Sequence, residues 1–289
     1  MTEYSDLWYE SDDGLRLYAR DYACTSNVES DAPLMLCMHG LTRNSADFHG
    51  FALQMRGHYR VVAVDQRGRG RSAYDPNPEN YAPPRYVQDM ATLLEYLKVE
   101  QVILVGTSMG GLMAMMMAAL FAQRLAAVVI NDIGPDISPV GLERIKGYVG
   151  QLKPAANWGE AVAQAKLINQ DAFPDFSDAQ WQAFTQGIYR LHNGTPVLAY
   201  DPAISQPFRD QDAGAEAPDL WPIFDALKPI PTLLVRGALS DLLEPACVEK
   251  MRERKPDLQF VEMANRGHAP MLVEAEALTA ISEFLRSQV

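Results

Sequence analysis

Apolar positions along this chain fall into two alternating patterns. Short apolar runs occur at 33–38, 60–65, 101–105, 126–131, 231–236 and 258–263. Runs of that length and β-branched content predict buried strands. Between them lie longer stretches with apolar residues at helical spacing. In 85–98, Val87, Met90, Leu94 and Leu97 mark one stripe, and helices are also expected at 44–55, 112–122, 245–255 and 272–286. Buried strands separated by helices predict an α/β fold, with a mostly parallel central sheet flanked by helices. The start of the chain differs: residues 7–10 and 15–22 flank Ser11-Asp12-Asp13-Gly14, which predicts an antiparallel hairpin at one sheet edge.

From 134 to 225 the alternation stops. Helical stretches at 141–150, 158–169 and 178–190 are joined by proline-rich loops, and no long β-run is seen. The expected organisation is a core domain of residues 1–133 and 226–289, with 134–225 as a helical cap, or lid, inserted over the sheet edge. This segment carries Trp158, Phe173, Phe176, Trp181, Phe184, Tyr189, Tyr200, Phe208 and Trp221. Most of these aromatics are expected to form its own core and a few to line a pocket.

Composition narrows the functional classes. A net charge of −12 over 289 residues argues against a nucleic-acid or anionic-membrane surface. Three cysteines without C-x-x-C spacing suit free thiols in a reducing compartment. The acidic amino terminus lacks the order of a signal peptide, and Gln123 and Arg124 interrupt the most apolar region. A cytoplasmic protein acting on a small molecule is expected; oligomeric state cannot be read from the chain.

The chemistry centres on Gly106-Thr107-Ser108-Met109-Gly110-Gly111, between an expected strand and an expected helix. A serine forced into so tight a turn projects its hydroxyl above the sheet edge, and glycines two residues either side let strand and helix close in. A serine nucleophile needs a base, and the base needs an orienting acid. Of five histidines, His268 follows the last strand and opens onto the same edge. His39, at an earlier strand end, is expected to bond to backbone. Asp241, on the loop after strand 231–236, is the favoured acid, and Asp132, at the neighbouring strand end, is the competitor. The N–H groups of Met109 and Leu41 are the expected oxyanion donors.

These motifs resemble, in order and along nearly the whole chain, those of the α/β-hydrolase fold superfamily. His39-Gly40-Leu41 is similar to its oxyanion loop, Asp65-Gln66-Arg67-Gly68-Arg69-Gly70-Arg71-Ser72 to its D-x-R-G-x-G-x-S loop, and 106–111 to its nucleophile elbow. Residues 237–241 and Gly267-His268 are similar to its acid and base loops. The resemblance implies Ser108 as nucleophile, His268 as base and Asp241 as acid in a hydrolase of a small carboxylic ester. It implies neither cofactor nor metal. Lactone, carbon–carbon and amide hydrolases share the motifs, and a ligand receptor on the same fold would show slow single-turnover hydrolysis. Arg43 and Arg144 are candidates to hold an anionic substrate; the alternative for Arg43 is pairing with Asp47, four residues on.

Overall fold

The computed structural model describes residues 3–26, 33–209 and 218–288. Most of the expected loop at 25–31, residues 210–217 of the insertion and the side chain of Phe208 lie outside them. Strands Ser5–Glu10 (β1) and Arg16–Tyr22 (β2) form the expected antiparallel hairpin, with Trp8 opposite Tyr18. Leu34–Met38 (β3) is buried throughout. Asn44 then caps a short 3-10 turn through its side chain, and helix His49–Met55 (α1) follows. Arg60–Asp65 (β4), Pro83–Tyr96 (α2), Val102–Thr107 (β5), Met109–Phe121 (α3) and Leu125–Asn131 (β6) continue the alternation.

The insertion contains Pro139–Tyr148 (α4), Trp158–Asn169 (α5) and Asp178–Ile188 (α6). It also holds a feature the helical reading missed, an antiparallel pair of Tyr189–His192 (β7) and Thr195–Leu198 (β8). Its turn is Asn193-Gly194, both at positive φ, 50° and 80°. That dipeptide is a strong hairpin signal, and it was there to be read. Gln206–Arg209 (α7) and Trp221–Asp225 (α8) lead back to the core. There Thr232–Gly237 (β9), Pro245–Arg254 (α9), Gln259–Met263 (β10) and Ala275–Gln288 (α10) complete the chain.

The sheet runs β1-β2-β4-β3-β5-β6-β9-β10. From β4 to β10 every pairing is parallel. Along β3, Leu34, Leu36 and Met38 join the apolar cluster containing Met90 of α2 and Met113 of α3. Met35 and Cys37 point the other way, to Phe51 of α1 and Ile281 of α10. The period-two alternation therefore feeds two cores, one on each face. Because the strands are parallel, the loops after β3, β5, β6, β9 and β10 emerge at one edge. The chain steps outward from β3 to β4 and then back to β5, the reversal beside which open α/β sheets place their sites.

Within the insertion, Phe173, Trp181, Phe184 and Tyr189 make a separate core, with Phe173 stacked on Phe176 at 4.4 Å. Tyr200 and Trp221 instead join the sheet's own cluster, and Trp158 is partly exposed. Among the described residues, no helix is long and apolar enough to cross a membrane.

Candidate active site

Ser108 links β5 to α3 at φ 53°, ψ −117°, outside the regions open to most L-residues. The glycines around it are required by contact. A Cβ on Gly106 would lie 2.2 Å from the carbonyl oxygen of Gly110, and one on Gly110 would lie 2.0 Å from that of Met38. Met109 opens α3, so its N–H is among those a helix leaves without an internal partner. The expected elbow is formed.

Ser108 Oγ lies 2.8 Å from His268 Nε2, and His268 Nδ1 lies 2.8 Å from Asp132 Oδ2. An ionised carboxylate only accepts, so Nδ1 carries the proton and Nε2 faces the serine hydroxyl as acceptor. Asp132 is fully buried and also accepts from Gly237 N–H (2.8 Å to Oδ1) and Ser240 O–H (2.6 Å to Oδ2). The expectation that Asp241 orients His268 is therefore corrected. Asp241 Oδ2 and Oδ1 instead receive Nε and Nη2 of Arg144, at 2.5 and 2.8 Å. Burial opposes ionisation of Asp241, but this guanidinium outweighs it and holds the carboxyl below its ordinary range. Sequence order favoured the later strand end; the competitor at the earlier one makes the contact. Nothing local in the sequence marked Ser240 as a donor to that acid.

The oxyanion loop is braced from beneath. His39 is buried, and burial depresses its pKa to about 3, so the ring is neutral. Its Nε2 accepts from the Gln66 N–H (3.0 Å), which leaves Nδ1–H to donate to the Gly40 carbonyl (2.7 Å). The bonded carbonyl belongs to the same peptide unit as the Leu41 N–H, so the imidazole fixes the plane of that expected donor. His39 thus bonds to backbone, as expected. Arg69, also buried, donates to the Leu41 carbonyl (2.9 Å) and to Tyr86 Oη (2.7 Å). Asp65 accepts from the N–H groups of Ser45 and Arg71, both at 2.7 Å. Burial pushes the Asp65 carboxyl above its ordinary range despite these donors. The arginine-glycine loop is thereby a scaffold for residues 39–45.

A cleft of about 80 Å³ opens over Ser108 and His268. Leu41 and Arg43 line it from the core, Tyr148 and Phe173 from the insertion. Arg43 donates through Nε and Nη2 to Asp47 (2.7 and 2.8 Å) and lies over the Phe184 ring at 4.1 Å. Both readings of Arg43 thus have a foothold: it is paired, and it faces the cleft. Arg144 is not among the cleft-lining residues, its guanidinium being taken by Asp241. Among the described residues, Asp12, Asp13 and Asp89 lie close enough to share a metal ion. Arg67 and Arg85 already form ion pairs with all three.

A constrained serine after a parallel strand, contacted by a histidine that is held by a buried carboxylate, is the arrangement of an α/β hydrolase. The family model described as alpha/beta hydrolase fold matches residues 33–275, and the chain belongs to that family. The structure is similar to that of an α/β hydrolase from Novosphingobium aromaticivorans, with a TM-score of 0.92, 39% identity and 99% of each chain covered. The chain is 37% identical over 258 residues to the 3-hydroxybutyrate-oligomer hydrolase of Cupriavidus necator, covering 87% of each. It is 30% identical over 266 residues to the 2-(acetamidomethylene)succinate hydrolase of Mesorhizobium japonicum, covering 90% of this chain and 91% of the relative. Both of these relatives are hydrolases.

Proposed function

We propose that the protein hydrolyses the ester bond of a small carboxylate-bearing substrate through an acyl-enzyme on Ser108. The observation that carries this reading is the unbroken hydrogen-bond chain Ser108–His268–Asp132 at the floor of the cleft. As Ser108 Oγ attacks the ester carbonyl, His268 Nε2 takes its proton. Asp132 stabilises the imidazolium and keeps Nδ1 protonated. The N–H groups of Met109 and Leu41 receive the oxyanion. His268 then returns the proton to the departing alcohol. A water deprotonated by the same imidazole releases the acid and restores Ser108.

The substrate class rests on two supports. Oligomers of 3-hydroxybutyrate, named for the relative at 37% identity, are esters ending in a carboxylate. In the cleft, Asp47 takes the Nε–H and one Nη2–H of Arg43, leaving the other Nη2–H and the Nη1 donors for a substrate carboxylate. Arg144 has the structural role of holding Asp241. Tyr148 and Phe173, which line the cleft, give the insertion a say in which chain fits.

The test compares 3-hydroxybutyrate dimer with its methyl ester, using wild type and Arg43→Ala. Multiple-turnover ester cleavage is expected, with a loss of about tenfold or more confined to the free acid in the variant. Equal loss for both substrates would remove the carboxylate contact, and a single turnover per protein would replace the enzyme with a ligand receptor. A second reading is an amide-bearing dicarboxylate substrate, favoured by the 30% identical relative. Faster turnover of 2-(acetamidomethylene)succinate than of the dimer would decide for it.

A further inference from the structure

Asn131 is the last residue of β6 and is fully buried, yet it belongs to none of the groups assigned a chemical role above. Its position relative to those groups is unusual. The backbone carbonyl of Asn131 accepts the N–H of Ser108 at 2.9 Å. Its Nδ2 donates twice, to Thr107 Oγ1 at 3.0 Å and to the Pro270 carbonyl at 2.7 Å. The next residue is Asp132, whose carboxylate receives His268. One side chain and its own peptide therefore touch the residue before the nucleophile, the nucleophile's backbone and the loop that carries the base.

A primary amide suits this place for a geometric reason. Two N–H bonds diverge from one nitrogen in a plane, so both receiving loops are set at once and neither can shift without unpairing a buried donor. Aspartate would have the same shape but no donor, and its charge would face the Pro270 carbonyl. Leucine would fill the volume and join nothing. Ser108 and His268 are carried by loops from β5 and β10, which are not neighbours in the sheet, and Asp132 grips the base from β6, one strand away from β5.

We propose that Asn131 is a positioning residue, a cross-tie that sets the separation of Ser108 Oγ and His268 Nε2. The proposal rests on the serine-hydrolase reading above. It predicts an effect on the acylation step and not on substrate affinity. A displacement of about 1 Å between reacting groups can cost on the order of a hundredfold.

The experiment uses the full chain, 4-nitrophenyl acetate as probe and a fluorophosphonate to label Ser108. Asn131→Leu is expected to lower kcat and the labelling rate together by about tenfold to a hundredfold, with KM within about threefold of wild type. Thr107→Val removes one of the two acceptors and should lower kcat by about threefold to tenfold, again with KM held. A folded Asn131→Leu with kcat and labelling within about twofold of wild type would overturn the proposal. So would a rise in KM with the labelling rate unchanged. Should Asn131→Leu fail to fold, Thr107→Val decides on the same criteria. Wild type that neither turns over the probe nor labels at Ser108 would instead sink the serine-hydrolase reading, so the two failures are distinct.

Discussion

β6 and β9 are neighbours in the sheet, end at the same edge and each release a loop bearing an aspartate. The two aspartates have opposite surroundings. Asp132 follows β6 directly at φ 58° and is fully buried, and its carboxylate receives two neutral donors, from the end of β9 and the loop after it, besides His268. Asp241 lies beyond a turn, is about one-third exposed on its side chain and is matched to a full positive charge on Arg144. A carboxylate oriented by dipoles alone keeps its charge available to an imidazolium. One already paired with a guanidinium has spent it. The β9 loop has thus become the support for an acid carried by its neighbour.

The comparison can be broken most severely at its common target. Ser108→Ala should reduce turnover of an aryl ester by at least about a thousandfold and abolish fluorophosphonate labelling; labelling retained on another serine would end the assignment. The two acids should then separate. Asp132→Asn is expected to lower kcat by about a thousandfold or more, and Asp241→Asn by less than about tenfold, with circular dichroism confirming that both fold. The reverse ranking would return the acid to the β9 loop.

A finer cut is Ser240→Ala, which deletes one of three donors to Asp132 and leaves the other two. A loss of about threefold to tenfold in kcat is expected, and none at all would mean that the hydroxyl does not hold the acid. The smallest effect concerns acid stability. Because the folded-state pKa of Asp241 is lowered, its contribution is complete above the ordinary aspartate value of about 3.9 and lost as pH falls through the lower folded value. Asp241→Asn should therefore flatten the acid limb of a denaturation profile slightly, by less than about 1 kcal/mol for so exposed a pair. A steeper limb would contradict the pairing with Arg144.

Much of the fold could be read from the chain because its signals are local. Gly106, Gly110 and the strand before them specify the turn at Ser108 without reference to anything distant, and the apolar runs of β3 to β6 announce their own burial. The position of His268 after the last strand was legible for the same reason. The choice of acid was not. Asp132 and Asp241 both follow apolar strands, and what separates them is a lateral relation between two loops together with an arginine from α4. The polar face of β7, with Arg190 and His192 exposed, concealed a strand that the Asn193-Gly194 turn alone could have revealed. Asn131 was hidden in another way: an asparagine ending an apolar run is unremarkable until its two acceptors arrive from elsewhere.

The adjacency of β6 and β9 also bears on how such a chain can change over generations. Asn131 sits opposite Val235 although the whole insertion intervenes between them. For a flexible connection, each doubling of loop length adds only about 0.6 kcal/mol to the closure penalty. Lengthening or rebuilding the segment between these strands is therefore cheap at equilibrium, while the register that presents Asp132 to His268 is left untouched. On the proposed reading, in which the insertion helps choose the substrate, new specificities can be tried above a site whose geometry is left unaltered.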